Sequence, residues 1–217
     1  EALPRTGTAV LNADDPATPE LTGATLATVT TVGASPGADY RISDVSVDDR
    51  LRPSFLLDGQ RFTVPLHGVH HAQNAAMAIA VAHRVFSLPL DEIALELAQA
   101  APGRWRMELL ETDLGVTVLN DSYNANPTSM GAALVALARL DIPAGARRLA
   151  VLGDMRELGV HHDDAHRAVG ERAAALGLDV IVGVGGGGAA IAHAAREAGL
   201  DALVAAANKE GALNVIA

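Results

Sequence analysis

Cysteine is absent from these 217 residues, so neither a disulfide framework nor thiolate chemistry is open to the chain. Lysine is almost absent: Lys209 stands alone, flanked by Asn208 and Glu210. A phosphate-binding loop of the form Gly-x-x-x-x-Gly-Lys-Ser/Thr needs its lysine to reach the terminal phosphates, and no lysine here is so placed. Aromatic residues make up 3% of a chain that is 49% hydrophobic, which leaves Ala, Val and Leu to fill the core. Long apolar runs are missing too. Ala75 to Ala82 is a clean one, far short of the roughly 20 residues a membrane span requires. The opening Glu1-Ala2-Leu3-Pro4 carries neither an initiator Met nor a basic-then-apolar leader. A net charge of −10 argues against a sequence-independent nucleic-acid surface, which needs clustered Lys and Arg. It leaves room for a nucleotide, whose phosphates can be met by one Arg and a helix N-terminus.

What is present alternates strand and helix. In residues 1–101, Thr8 to Leu11, Ala24 to Val32 and Tyr40 to Val47 read as strands. Phe55 to Leu57 and Arg61 to Val64 form a hairpin around a three-residue Asp58-Gly59-Gln60 turn. His71 to Phe86 is an Ala-rich helix, and Pro89 to Ala101 is a second with Leu90, Ile93, Ala94 and Leu97 on one face. Pro102-Gly103 breaks that helix and marks a domain junction. Beyond it, strands are expected at Met107 to Glu111, Val116 to Asn120, Arg148 to Leu152, Val180 to Val184 and Ala202 to Ala205. Helices are expected at Pro127 to Leu140, Asp163 to Leu176 and Ala189 to Ala198. Such alternation implies crossover connections and a mostly parallel, Rossmann-like sheet.

The octapeptide Asn120-Asp121-Ser122-Tyr123-Asn124-Ala125-Asn126-Pro127 follows a strand and opens a helix. Asn126 suits the N-cap and Pro127 the first helical position, so the polar residues before them form a loop at a strand's carboxyl end, where open α/β sheets bind ligands. This stretch resembles the signature of the Mur ligase family, in its D-Ala-D-Ala-adding branch. Four further stretches agree in order and spacing: Leu11-Asn12-Ala13-Asp14-Asp15-Pro16, His70 to Asn74, Pro102-Gly103-Arg104, and Gly153 to Gly159 (Gly-Asp-Met-Arg-Glu-Leu-Gly). The resemblance implies an α/β fold in which residues 1–103 are the end of a central ATPase domain and 104–217 a Rossmann-like C-terminal domain, incomplete at its end. The family's phosphate loop, metal-binding Glu, carbamylated Lys and Lys-Gly-Ser stretch have no counterpart here, so a piece of a longer polypeptide is expected.

The resemblance also implies site residues. Arg104, on local grounds a linker arginine, corresponds to the Arg that reaches the γ-phosphate and the forming acyl phosphate; a planar, permanently charged fork suits that task. Asp121 would accept from ribose hydroxyls, although a carboxylate there can equally bond its own turn. Tyr123 would lie near the nucleotide or pack on the sheet edge. Asn124 and Asp154 are weaker candidates for substrate contact, Asp154 alternatively for ordering its loop. His70 and Asn74 lie one helical turn apart, and an Asn amide can pair with N6 and N7 of adenine. The family pattern is His-Asn-x-x-Asn; this chain has His71 in place of the first Asn.

Other constellations have plainer readings. Asp14 and Asp15 cap a strand end rather than hold a metal, and no metal ligands are assigned within the chain. His162 and His166, with acids between, read as a helix start whose acids suit the dipole. Gly183 to Gly188 satisfies Gly-x-Gly-x-x-Gly but lies late in the domain, with Asp201 too near for a ribose acid; a flexible strand-to-helix turn is expected. The function implied is ATP- and Mg²⁺-dependent addition of D-Ala-D-Ala to UDP-MurNAc-tripeptide, in peptidoglycan synthesis and hence in cell-wall biogenesis, cell shape and cell division. A monomeric, cytoplasmic protein is expected, without membrane insertion and inactive as this fragment alone. Two alternatives are a folylpolyglutamate-synthase-like ligase and a non-catalytic binding module that keeps the ligase fold.

Overall fold

The computed structural model describes residues 3–101 and 103–205; Pro102, Lys209 and the expected end of the last domain lie outside the described residues. The chain divides into two compact units, residues 1–102 and 103–217.

In the first unit a five-stranded sheet runs in chain order: β1 (Thr8–Asn12), β2 (Thr28–Gly33), β3 (Tyr40–Val47), β4 (Pro53–Leu57) and β5 (Gln60–Thr63). The first three strands are parallel and the last three antiparallel. β2 starts later than the apolar pattern suggests, because α1 (Thr18–Gly23) ends at a cap on Ala24, and Thr25 bonds the Ala27 amide. The hairpin turn holds two residues, not three. Gln60 already pairs with Leu57, and Asp58 and Gly59 both have positive φ, as the tight turns matched to strand twist require. Helix α2 (His71–Phe86) lays Ala72, Ala76, Ile79 and Ala80 among Val32, Phe55, Leu57, Phe62 and Val64. Its alanines let the helix lie close to the sheet, while Phe55 and Phe62 stack with ring centroids 5.8 Å apart. The second helix, α3 (Leu90–Leu97), is shorter than expected: Pro89 serves as its extended N-cap and Ala98 as its C-cap.

In the second unit, β8 (Leu149–Leu152), β9 (Val180–Val184) and β10 (Asp201–Ala205) form a parallel sheet in the order β10-β9-β8. Helices α4 (Pro127–Arg139), α5 (His162–Ala175) and α6 (Gly185–Glu197) alternate with these strands, and α5 and α6 are the crossovers that parallel neighbours need. Their core gathers Met130, Leu134, Met155, Val169, Ile181 and Ile191. Helices α5 and α6 approach closely at Gly170, where a Cβ would stand 2.3 Å from the Ile191 carbonyl oxygen. The other two expected strands do not join this sheet. β6 (Glu108–Glu111) and β7 (Thr117–Asn120) pair with each other as an antiparallel ribbon, because only a short turn separates them and no helix intervenes to make a parallel crossover. The glycine run after β9 is not a flexible turn either: Gly185 to Gly188 form the first turn of α6.

Candidate functional site

Two hydrogen bonds join the segment around Arg104 to the loop that follows β7. The Met107 N–H donates to Asp121 Oδ1 at 3.0 Å, and the Tyr123 N–H donates to the Trp105 carbonyl at 3.1 Å. Trp105 and Met107 both sit in the left-handed region, at φ 64° and 50°. Bulky residues rarely adopt it, at roughly 1–3 kcal/mol each. Burial of the Met107 side chain and the Asp121 bond hold the second in place, and Glu108 Oε2 accepts from the Trp105 N–H. The backbone that follows Arg104 is therefore tied to the loop that carries Asp121 and Tyr123. The Arg104 guanidinium lies over the Trp105 ring, 5.4 Å from its centroid. Asp121 is half-buried and its Oδ1 bonds the neighbouring segment, while Asn124 is exposed.

The helix that starts beyond this loop is fixed by a reciprocal cap. Asn126 Oδ1 accepts from the Ser129 N–H at 2.8 Å and Ser129 Oγ from the Asn126 N–H at 3.1 Å, with Pro127 at the first helical position. Asn126 is thus occupied structurally, as its position predicts.

In the first unit, His70 is the N-cap residue of α2 and Asn74 lies one turn on, exposed, its N–H donating to the His70 carbonyl at 3.3 Å. Gln73, between them, carries no sequence signal of a role, yet it anchors the helix start. Its Nε2 donates to Asn12 Oδ1 at 3.0 Å and to the Val32 carbonyl at 2.9 Å, tying α2 to the ends of β1 and β2. Asp14 accepts from the Ala34 and Ser35 amides at 2.7 and 2.9 Å and from the Ser35 hydroxyl at 2.6 Å. The Ser35 hydroxyl, with these amides, holds its carboxyl below the usual range. Asp14 therefore orders the strand ends, and Asp15 bonds the Ala17 amide. His71 is different. Burial, with its neighbours His70 and His67, pushes its imidazole down to about 4, and its buried Nε2 has no hydrogen-bond partner among the described residues.

Asp154, at the carboxyl end of β8, turns toward α6: its Oδ1 accepts from the Gly187 and Gly188 amides at 2.5 and 3.2 Å. A carboxylate against orphan amides at a positive helix end is doubly favoured. Beneath it His166 is fully buried, Nδ1 2.7 Å from the His162 carbonyl and Nε2 accepting from the Met155 N–H at 2.9 Å. That assigns the Nδ1–H tautomer. A Cβ at Gly187 would come within 2.2 Å of His166 Nε2 and 2.8 Å of Asp154 Oδ1, so this glycine provides clearance for both groups. No group of three or more His, Cys, Asp or Glu able to hold a metal occurs among the described residues. No helix among them is long and apolar enough to cross a membrane.

Comparison with known proteins places residues 1–82 in the Mur ligase middle domain and residues 105–217 in the Mur ligase, glutamate ligase domain. A UDP-N-acetylmuramoyl-tripeptide–D-alanyl-D-alanine ligase of Mycobacterium tuberculosis is 39% identical over 204 residues, covering 90% of this chain and 40% of that protein. The chain thus spans about two fifths of the length of that curated relative. Among solved structures, MurF from Acinetobacter baumannii superposes with a TM-score of 0.78 at 28% identity, over 93% of this chain and 43% of that one. MurF from Thermotoga maritima in complex with ADP shares the fold, at 22% identity and a TM-score of 0.68, over 94% of this chain and 51% of that one.

Proposed function

The chain belongs to the Mur ligase family, and from that premise we propose that it is part of an ATP-dependent ligase adding D-Ala-D-Ala to UDP-MurNAc-tripeptide for peptidoglycan synthesis. The observation that carries the reading is the pair of hydrogen bonds joining the Arg104 segment to the Asp121–Tyr123 loop. In the reaction, the terminal carboxylate of the tripeptide takes the γ-phosphoryl group of ATP and ADP departs. The dipeptide amine then attacks the acyl carbon, loses its proton, and phosphate leaves as the amide forms.

Each candidate residue has a task within that chemistry. Asp121 accepts from the ribose hydroxyls, with Tyr123 alongside the nucleotide. The Asn74 amide meets N6 and N7 of adenine, with His70 one turn away. Arg104 stabilises charge spread over the transferring phosphoryl oxygens. Asn124 and Asp154 belong to the substrate side, Asp154 by holding the loop that follows β8. The reading includes Mg²⁺, monomeric state and a cytoplasmic setting, and it assigns metal ligands and phosphate loop to a longer polypeptide.

Phosphate release from a full-length parent tests the proposal, with D-Ala-D-Ala or glutamate as the amine. Release with the dipeptide supports it; release with glutamate alone transfers the chain to a folylpolyglutamate-type ligase. No release with either leaves a binding module. The 217-residue chain by itself is expected to turn over no ATP, and turnover by it would refute the assignment of the phosphate machinery to other residues.

A further inference from the structure

The loop that follows β8, residues 153–158, is anchored on both sides of a pair of exposed charges. Asp154 Oδ1 accepts from the Gly187 and Gly188 amides at the start of α6, and the Met155 N–H donates to the buried His166 ring. The Met155 side chain is buried in the core of the unit, and Leu158 packs against the same core. Between these anchors Arg156 and Glu157 are exposed. Glu157 has φ 62°, a left-handed conformation that persists only where the surroundings enforce it. Arg156 is thus presented from a fixed backbone at the carboxyl end of β8, the edge at which open parallel sheets bind ligands.

The other arginines described in the second unit are engaged or stand elsewhere. Arg139 and Arg196 close the last turns of α4 and α6, and Arg147 and Arg148 directly precede β8, all at the opposite end of the sheet. Arg167 pairs with Glu197, and Arg172 lies against Gly131 of α4. Arg104 and Arg106, before β6, rest on the rings of Trp105 and Tyr123, 5.4 and 3.9 Å from their centroids. The Arg156 guanidinium has neither an ion-pair partner nor a hydrogen-bond acceptor among the described residues. A permanent, planar cation on an anchored loop, without a counter-charge of its own, suits a carboxylate from outside, which it can meet with two parallel N–H bonds.

We propose that Arg156 binds the terminal carboxylate of the incoming D-Ala-D-Ala and so selects the acceptor of the reaction. The inference rests on the ligase reading. Of the dipeptide's two charged groups, the ammonium must shed a proton before its nitrogen attacks the acyl carbon, while the carboxylate keeps its charge throughout. A contact to that carboxylate holds ground state and transition state alike, so its loss raises KM and leaves kcat in place.

Steady-state kinetics of the full-length parent, Arg156→Ala and Arg156→Lys provide the test, with D-Ala-D-Ala and its C-terminal amide as acceptors. The amide keeps the nucleophilic amine and loses the negative charge. In the unsubstituted parent its KM should stand about 10- to 100-fold above that of the dipeptide, the effect of losing a charge-assisted hydrogen bond. Arg156→Ala should raise the KM for the dipeptide by a similar factor and no longer distinguish acid from amide, because both changes remove one contact. Its kcat and its KM for ATP and for UDP-MurNAc-tripeptide should stay within about twofold. Lysine keeps the charge without the fork, so Arg156→Lys should fall between. The acid-to-amide ratio is taken within each variant, so any loss of folded enzyme cancels. An Arg156→Ala enzyme that discriminates as the parent does overturns the proposal. A rise in KM confined to ATP or to the tripeptide also overturns it, by assigning the guanidinium to another ligand. Phosphate release by the parent with neither acceptor sinks the ligase reading itself, whereas release with the dipeptide and an undiminished ratio in Arg156→Ala sinks only the role of Arg156.

Discussion

His71 enters α2 with a buried, unbonded Nε2 and an imidazole pushed down to about 4 from 6.5 by burial and by the charges of His70 and His67. The folded state disfavours the proton that the unfolded chain accepts near 6.5, so the unfolded state binds more protons between those values. Stability therefore falls as pH drops from about 6.5 toward 4. The lowered carboxyls of Asp14, Asp39 and Asp48 act in another window: their contribution is lost only below the ordinary 3.8. Replacing His71 with the Asn of the family pattern should flatten the slope between pH 6.5 and 4, read as urea midpoints at several pH values. An equal loss in His71→Asn would assign the acid sensitivity to other groups. The sequence identified position 71 as a departure from pattern but not its consequence, because burial of one ring nitrogen depends on what packs over the helix start. Gln73 was illegible for the same reason, since its partners Asn12 and Val32 stand 61 and 41 residues away.

Helix starts illustrate how far local sequence reaches. Asn126-Pro127 fixed the beginning of α4, because a cap and its N3 partner are three residues apart and need nothing else. Asn126→Ala should lower the stability of the second unit by about 1 kcal/mol in chemical denaturation; no change would mean that tertiary packing alone sets this helix end. The start of α6 depends instead on distant residues. Glycine costs about 1 kcal/mol per residue in a helix, so Gly185 to Gly188 read as a loop. At Gly185 and Gly187 the Asp154 carboxylate, and at Gly187 also the buried His166 ring, occupy the space where a side chain would stand. Gly187→Ala, helix-favouring by propensity, is accordingly expected to destabilise the second unit by about 1–3 kcal/mol through overpacking. A raised melting temperature would contradict that account. β6 and β7 show the same limit in strands: composition marked both, but their antiparallel pairing apart from the β10-β9-β8 sheet followed from the connection between them.

On the scale of the whole molecule, the ligase reading predicts that Arg104→Ala in the full-length parent lowers kcat by about 10²–10³ with little change in the KM for ATP, as for loss of a transition-state charge stabiliser. A raised KM with kcat unchanged would instead make Arg104 a ground-state contact. The chain's own sequence determined the α/β alternation, the cap at Asn126, the absence of cysteine chemistry and of a phosphate-loop lysine, and the motifs that carry its family membership. These are matters of residue type and of spacing within a few positions, which propensity and periodicity read directly. Only the tertiary structure decided that Asp121 bonds Met107, that Arg106 rests on Tyr123, that His166 seats Met155 and that Asp154 turns to α6. Such contacts join residues from 11 to 34 positions apart in the backbone ties, and loop closure leaves their geometry open until sheets and helices have packed.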